Sequence, residues 1–205
     1  EGEYIEFMAP GVIILTAIFT SIFGGVNTLW DRRYGFMNKA LTSPISRSAI
    51  AIGKMSAISL IAALQASLII GIALAIGVTF PNPLMIIPIM GIVILFSLGF
   101  SGISVTLAAT AKSQETFWGM INLLGMPLFM LSPALFPLEL LPSWLAVIAK
   151  LNPVTYTILL VRELMTGVSE GGVPILLSIG VILAFVIAMV AIASYVFTRE
   201  VNKPF

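Results

Sequence analysis

Long stretches of this chain carry no charged side chain. Reading from charge to charge, the uncharged runs are Phe7–Trp30, Met55–Ala111, Thr116–Leu138 and Gly171–Thr198. About 20 mostly apolar helical residues cross a bilayer's hydrocarbon core. Three of these runs therefore suit one crossing each, and the second is too long for one. Pro81-Asn82-Pro83 interrupts it. The two prolines remove backbone donors and the Asn between them favours a turn. The pattern predicts an all-α polytopic membrane protein with five transmembrane helices, at about 7–30, 55–80, 84–111, 116–138 and 171–198. A charged side chain at the centre of any of them would cost roughly 2.5–3.5 kcal/mol on an insertion scale, and none holds one.

Two shorter apolar pieces, Leu140–Ala149 and Leu151–Val161, lie between the fourth and fifth spans, separated by Lys150 and Asn152-Pro153. Neither reaches across a bilayer. The expectation is a pair of short re-entrant or interfacial helices over 139–170. Trp144, Tyr156, Lys150 and Arg162 suit an interfacial depth, where amphipathic rings sit and basic side chains snorkel. Pro127, Pro133 and Pro137 bend or end the fourth span on the same side.

Composition sharpens the class. Hydrophobic residues make up 59% of the chain and charged residues 9%, against about 45–50% and 25% in soluble domains, which excludes a water-soluble domain. There is no Cys and no His, so disulfides, thiolate or imidazole metal sites and His-based acid–base catalysis are excluded. No metal is expected. The near balance of 10 Lys+Arg and 9 Asp+Glu gives no basic field for nucleic acid.

Charge also orients the spans. One face collects the 31–54 loop, the Lys112–Glu115 turn and the tail, with eight basic residues, while the other holds only Lys150 and Arg162. The positive-inside rule puts the first face, and with it the C-terminus, in the cytoplasm, and the N-terminus outside. The chain opens on Glu1 without a basic leader. The expectation is a fragment whose first span lies upstream, restoring six spans in the full chain.

The inventory of chemistry is sparse. Ion-driven transporters place ionisable groups within the membrane, and here the spans have none. Gly53-Lys54 is followed by Met55 and preceded by Ser48 where a P-loop needs Ser or Thr and Gly, so any ATP must be hydrolysed by another chain. No base lies near the span serines, and no catalytic residue is assigned. Asn27, Thr28, Gln65 and Asn122 are the polar side chains placed to face an interior surface, either lining a substrate route or bonding a neighbouring helix. Gly24, Gly25, Gly71, Gly77, Gly99, Gly102 and Gly125 suit close helix packing.

The 31–54 loop is the most informative stretch. Phe36, Met37, Ala40 and Leu41 fall on one stripe of a short helix. Ser43 as N-cap with Pro44 at the first position suits the start of the next one. Two readings stand: an interfacial helix held by anionic lipid headgroups, or a helix presenting Phe36 and Leu41 to a groove on a soluble partner.

Those residues also carry a resemblance. Pro10-Gly11 opening a span, Trp30-Asp31-Arg32 with Gly35-Phe36 at its end, then Ser43-Pro44 with Ser46-Arg47, resemble the permease family of type-2 ABC transporters, particularly drug-resistance and nodulation-type exporters. Phe136-Pro137, Leu141-Pro142, Trp144-Leu145, Asn152-Pro153, Thr155-Tyr156 and Arg162 resemble that family's second segment. The resemblance covers essentially the whole chain, as a single type-2 transmembrane domain over 1–205. It implies a half-transporter that pairs with a second permease copy (a homodimer) or a paralogue, and that binds separate cytoplasmic ABC ATPase subunits, which hold Mg-ATP. The implied ATPase-coupling loop includes Asp31, Arg32, Arg33, Gly35, Phe36, Leu41, Pro44 and Arg47. The implied outer gate includes Pro137, Pro142, Trp144, Asn152, Pro153, Tyr156 and Arg162.

The function expected from this is an inner-membrane permease that moves a hydrophobic or amphipathic drug, lipid or lipid-linked glycan, with ATP hydrolysed elsewhere. The alternatives are a non-transporting membrane scaffold that binds a cytoplasmic protein, and a membrane enzyme acting on lipids.

Overall fold

Among the described residues eight α-helices follow one another: α1 Gly2–Arg33, α2 Phe36–Leu41, α3 Arg47–Ile76, α4 Ile86–Thr110, α5 Gln114–Met130, α6 Ser143–Leu151, α7 Pro153–Thr166 and α8 Ile175–Glu200. The computed structural model describes residues 2–78, 82–133, 143–167 and 172–200, and no strand occurs among them.

Among the described residues four stretches are long and apolar enough to cross a bilayer: Met8–Arg33, Arg47–Ile76, Pro83–Thr110 and Ile175–Glu200. They match the first, second, third and fifth predicted spans. The fourth, 116–138, differs. Helix α5 has 17 residues and contains Pro127, so at 1.5 Å per residue it extends roughly 25 Å, short of a 30 Å core. Residues beyond 133 on that predicted span lie outside the described residues.

The helices also run past the charge-free limits. Helix α1 continues through Asp31, Arg32 and Arg33, and α3 begins at Arg47, so Lys54 sits within α3. Backbone hydrogen bonding does not stop at the first charge; it stops at a cap. For α3 that cap is Ser46, extended at φ −65°, ψ 144°, whose hydroxyl accepts from the Ala49 N–H at 3.3 Å. The predicted start at Ser43-Pro44 is not used. Ser43 instead donates to the Ala40 carbonyl at 2.6 Å and closes α2. Of the Pro81-Asn82-Pro83 break, Pro81 lies outside the described residues, while Asn82 accepts from the Leu84 N–H at 3.0 Å and caps a 3-10 turn, Pro83–Met85.

Helices α1 and α4 form the centre. Ile13, Ile14, Ala17, Ile18 and Ile22 of α1 meet Ile89, Val93, Phe96 and Phe100 of α4, with Val154, Ile158 and Val161 of α7 in the same core. Lipid tails are as apolar as these side chains, so close backbone approach rather than water exclusion has to hold the helices together. Small residues provide it. A methyl group on Gly25 would lie 2.7 Å from both Cβ and the carbonyl oxygen of Ser104, and the Ser104 hydroxyl donates to the Ser21 carbonyl at 2.6 Å. Ser59 of α3 likewise donates to the Ile94 carbonyl of α4 at 2.6 Å. Gly24, Gly99, Gly102 and Gly125 sit in similarly tight contacts. Two of the glycines read as packing residues do not: Gly71 faces open space, and Gly77, at φ +102°, ends α3 in a left-handed turn. The outward faces of α3 and α8 expose Leu60, Leu64, Leu68, Leu176, Leu183 and Ile187, as lipid-facing surfaces do.

Helix α7 departs from the interfacial reading. Val154, Thr155, Thr157, Ile158, Leu159, Leu160, Val161, Arg162 and Met165 are all buried, and α7 packs against both α1 and α8. Burial around its whole circumference fits a helix inserted into the bundle, not one laid on its surface.

Candidate functional site

Three groups of predicted residues are brought together, two at opposite ends of the bundle and one along its side. The first lies at the basic end, where α1 and α8 finish and α3 begins. Tyr34 N–H donates to the Trp30 carbonyl at 2.8 Å and Gly35 N–H to the Arg32 carbonyl at 3.4 Å. Gly35 then adopts φ +76°, a left-handed conformation that glycine takes without the Cβ penalty, and the chain turns into α2.

Helix α2 has only six residues, too few to be stable alone, so tertiary contacts must hold it. Met37 supplies them. It is buried among Ala51, Met55 and Ile58 of α3, Val105 and Ala109 of α4, and Ala193 and Phe197 of α8, and Leu41 packs on the same cluster. The stripe predicted on α2 therefore divides. Met37 and Leu41 face the bundle, and Leu41 is not on the exposed surface assigned to it. Phe36 does face outward, 60% exposed, next to Tyr34 at 68% and Ile45 at 56%. Lys39 lies over the Phe36 ring, 5.7 Å from its centroid, and Arg33 and Pro44 are exposed nearby while Arg47 is half-buried. Phe36, with Lys39 over its ring, thus projects from a helix anchored on its other side.

Arg32 turns the other way, towards the end of α4, and Asp31, its side chain 38% exposed, reaches across to α3. Asp31 pairs with Lys54 of α3. Arg32 Nη1 donates to the carbonyls of Ala108 at 3.0 Å and Ala109 at 2.5 Å. These lie in the last turn of α4, where carbonyls have no intrahelical donor and the helix dipole is negative, so a guanidinium is doubly suited to the position. Glu200 at the end of α8 is within electrostatic reach of Arg32. Beside this cluster Ser113 caps α5, accepting from the Thr116 N–H at 3.1 Å. A hydrogen bond with the Ser113 side chain, and then one with the backbone and the charge of Arg33, hold the Glu115 carboxyl below its usual range. That small contribution is present above the unfolded carboxyl's pKa and fades as pH falls through the lower, folded one.

The second group is at the opposite end. Asn152 is buried and caps α7 by accepting from the Val154 N–H at 3.0 Å, while its Nδ2 donates to the Leu128 carbonyl of α5 at 2.6 Å. Pro153 occupies the first helical position, where its missing N–H has no cost. Tyr156 donates to the Lys150 carbonyl at 2.8 Å. Arg162 is 1% exposed and donates from Nη2 to the Pro133 carbonyl at 3.1 Å. It does not snorkel to an interface as the sequence reading expected, because Val161, Leu160 and Ile158 carry its whole turn into the core. Pro137 and Pro142, and the side chain of Trp144, lie outside the described residues.

The third group lines a groove of about 560 Å³ between α1 and α3. Asn27 and Gln65 line it, joined by Thr16 and Thr20, with Phe19, Phe23, Ile58 and Ile61 as apolar walls. The Thr20 hydroxyl donates to Gln65 Oε1. Thr28 is buried in the core instead, and Asn122 is satisfied by the Trp118 carbonyl of its own helix at 2.9 Å. The two threonines were legible in principle, since Thr16, Thr20 and Asn27 recur at intervals of four and seven on one helical face.

Comparison with known proteins gives this arrangement a context. The family model described as ABC-2 type transporter matches residues 2–166. A protein described as a putative transport permease, ycf38, of Cyanophora paradoxa is 32% identical over 80% of this chain and 57% of its own length. The daunorubicin resistance ABC transporter permease protein DrrB1 of Streptomyces coeruleorubidus is 24% identical over 89% of this chain and 66% of its own. Nodulation protein J of Rhizobium leguminosarum bv. viciae is 24% identical over 98% of this chain and 77% of its own. The chain spans 54–58% of the length of the ycf38 proteins it matches. With a family model covering most of its residues and several helices able to cross a bilayer, the chain belongs to the ABC-2 type transporter family and is a multi-pass membrane component of that family.

Proposed function

We propose that this chain is the membrane-spanning part of an ATP-driven exporter whose ATPase is a separate cytoplasmic subunit. The observation that carries this is the patch of Tyr34, Phe36 and Ile45. These large apolar side chains are left outside a bundle that buries the neighbouring Met37, at the end where basic residues concentrate. The positive-inside rule puts that end in the cytoplasm of a cell's inner membrane, so the patch faces a soluble partner. The partner binds Mg-ATP, which this chain has no loop to hold. When nucleotide draws two ATPase subunits together, each carries its docked α2 with it, and the rigid-body shift passes to the long helices. A second permease, identical or paralogous, completes the pair.

The α1–α3 groove is the proposed route. Its phenylalanines and neutral polar groups, with no charge, suit a hydrophobic or amphipathic substrate such as a drug, a lipid or a lipid-linked glycan, entering from the bilayer. The Asn152–Arg162 cluster serves as the outer gate at the far end.

Fully burying a large apolar side chain is worth about 1.5–3 kcal/mol. Replacing Phe36 and Ile45 together by aspartate should therefore weaken ATPase association at least about tenfold, since 1.4 kcal/mol is already a factor of ten. Co-purification of the tagged full-length permease with its ATPase measures this. Size-exclusion behaviour of the permease alone checks that both side chains, being exposed, can change without unfolding it. ATPase retention at the parental level would remove the docking assignment.

A further inference from the structure

Resting on the docking reading above, we infer that Asp31 and Arg32 are positioning residues that carry the stroke of α2 into α3, α4 and α8, and that neither contacts the partner. They lie four and three residues before the Gly35 joint, and each makes a polar contact with another helix of this chain. Asp31 is paired to Lys54 on α3. Arg32 binds two successive carbonyls at the end of α4, with Glu200 of α8 in electrostatic reach. The two residues at the end of α1 thus address every other long helix that reaches the basic end.

Two linkages of different character therefore join the docking helix to the bundle. Met37 sits in an apolar seat formed by α3, α4 and α8. Such contact is non-directional, and a soft methionine side chain accommodates sliding. The polar linkage is directional. The one nitrogen Nη1 donates to both Ala108 and Ala109, and because the guanidinium is planar the directions of its two N–H groups are fixed, which ties α1 to α4 in both distance and rotation. Gly35 has no atom within 4 Å of where a Cβ would stand, so the joint between α2 and α1 is unobstructed. A stroke taken up by α2 with only the Met37 seat intact would be absorbed as slippage. With Arg32 and Asp31 engaged, it turns the ends of α1, α3 and α4 together.

Arg32→Lys keeps the charge but replaces the planar Nη1 group with a freely rotating ammonium on a shorter, flexible stem. In the full-length permease–ATPase complex, Arg32→Lys and Asp31→Lys should each retain the ATPase at the parental level. Each should lower substrate transported per ATP hydrolysed at least about fivefold. The exchanged pair Asp31→Lys/Lys54→Asp should recover most of the loss. A second readout does not depend on transport. The chain has no Cys, and Arg33 and Thr110 are exposed at the ends of α1 and α4. Arg33→Cys/Thr110→Cys therefore reports the spacing of those ends by spin-label distance. The distribution should broaden when Arg32→Lys is added.

Three results would overturn the inference: unchanged coupling in Arg32→Lys, an unchanged spin-label distribution, or loss of the ATPase itself, which would make Arg32 a docking residue. Failure of the docking reading has a different signature, since the ATPase would then stay bound when Phe36 and Ile45 are replaced while the spin-label result stands.

Discussion

Replacing Gly25 with valine should destabilise the bundle more than any single surface change in this chain. The central α1–α4 pair approaches most closely there. The atoms that a Cβ on Gly25 would meet are Cβ, O and C of Ser104 at 2.7, 2.7 and 2.8 Å. Two of the three are backbone, so no rotamer change relieves the clash. Separating the helices by the ångström or so needed would break the hydrogen bond from Ser104 to the Ser21 carbonyl, 2.6 Å long, and open the layer of Ile18, Ile22 and Phe100 on either side. Overpacking in a dense core typically costs 1–3 kcal/mol and sometimes more. With backbone on the receiving side and an interhelical hydrogen bond lost, at least about 3 kcal/mol is expected, a large share of a 5–15 kcal/mol total. The check is thermal unfolding of the detergent-solubilised protein, with Gly71→Val as control. Gly71 is also a mid-helix glycine but meets nothing within 4 Å, so its valine variant should stay close to the parent. Equal losses at both positions would mean that helix propensity, not the approach at Ser104, sets the cost.

That contrast shows how much the sequence could reveal. Spans are legible because a bilayer penalises every charge, and the limits near Trp30, Phe80 and Ala111 fall within a few residues of the helix ends. Caps are not read from charge. Arg47 and Lys54 belong to α3 because Ser46 starts it, and no charge count distinguishes Ser46 from Ser43. Glycines look alike in sequence, and only tertiary neighbours separate Gly25, pressed on Ser104, from Gly71, facing outward, and Gly77, ending a helix. The candidate sites behaved similarly. A stripe of Phe36, Met37, Ala40 and Leu41 says that α2 has an apolar side. It does not say that Met37 would be taken by its own bundle and leave Phe36 for another. Asp31 and Arg32 were legible as part of a motif, but their partners, Lys54 and two backbone carbonyls, lie 23 residues away at the nearest and 77 at the farthest. Backbone acceptors carry no sequence signature at all.

Arg162 is the hardest of these cases and the site of the second large effect. Beside Glu163 and a few residues before Glu170, it reads as an interfacial cation. The structure buries it to 1% exposure and gives it a reason to be there. Helix α5 ends at Met130, so the carbonyls of its last turn and of the residues beyond it have no later helical N–H to accept from. Leu131 N–H takes the Pro127 carbonyl at 2.9 Å, Asn152 takes that of Leu128 at 2.6 Å, and Arg162 takes that of Pro133 at 3.1 Å. Helix α7 thus supplies donors that α5 lacks, where no bulk water replaces them. Arg162→Met keeps nearly the same volume and removes the donors. Exchanging a buried ion pair for apolar residues is often harmless because both partners leave together. Here the Pro133 carbonyl belongs to the backbone and stays unpaired, so the loss should be about 1.5–3 kcal/mol, the range for a hydrogen bond from a charged donor or an orphaned buried acceptor. Asn152→Ala should cost about 1–2 kcal/mol for the cap and the Leu128 bond. The two together should cost less than their sum, since both hold one segment. Thermal unfolding gives the magnitudes, and amide exchange at Leu131 gives the place: its protection should fall in Arg162→Met before that of the α1–α4 core does. Full stability with methionine at 162 would mean that packing of α7, not its donors, holds the end of α5.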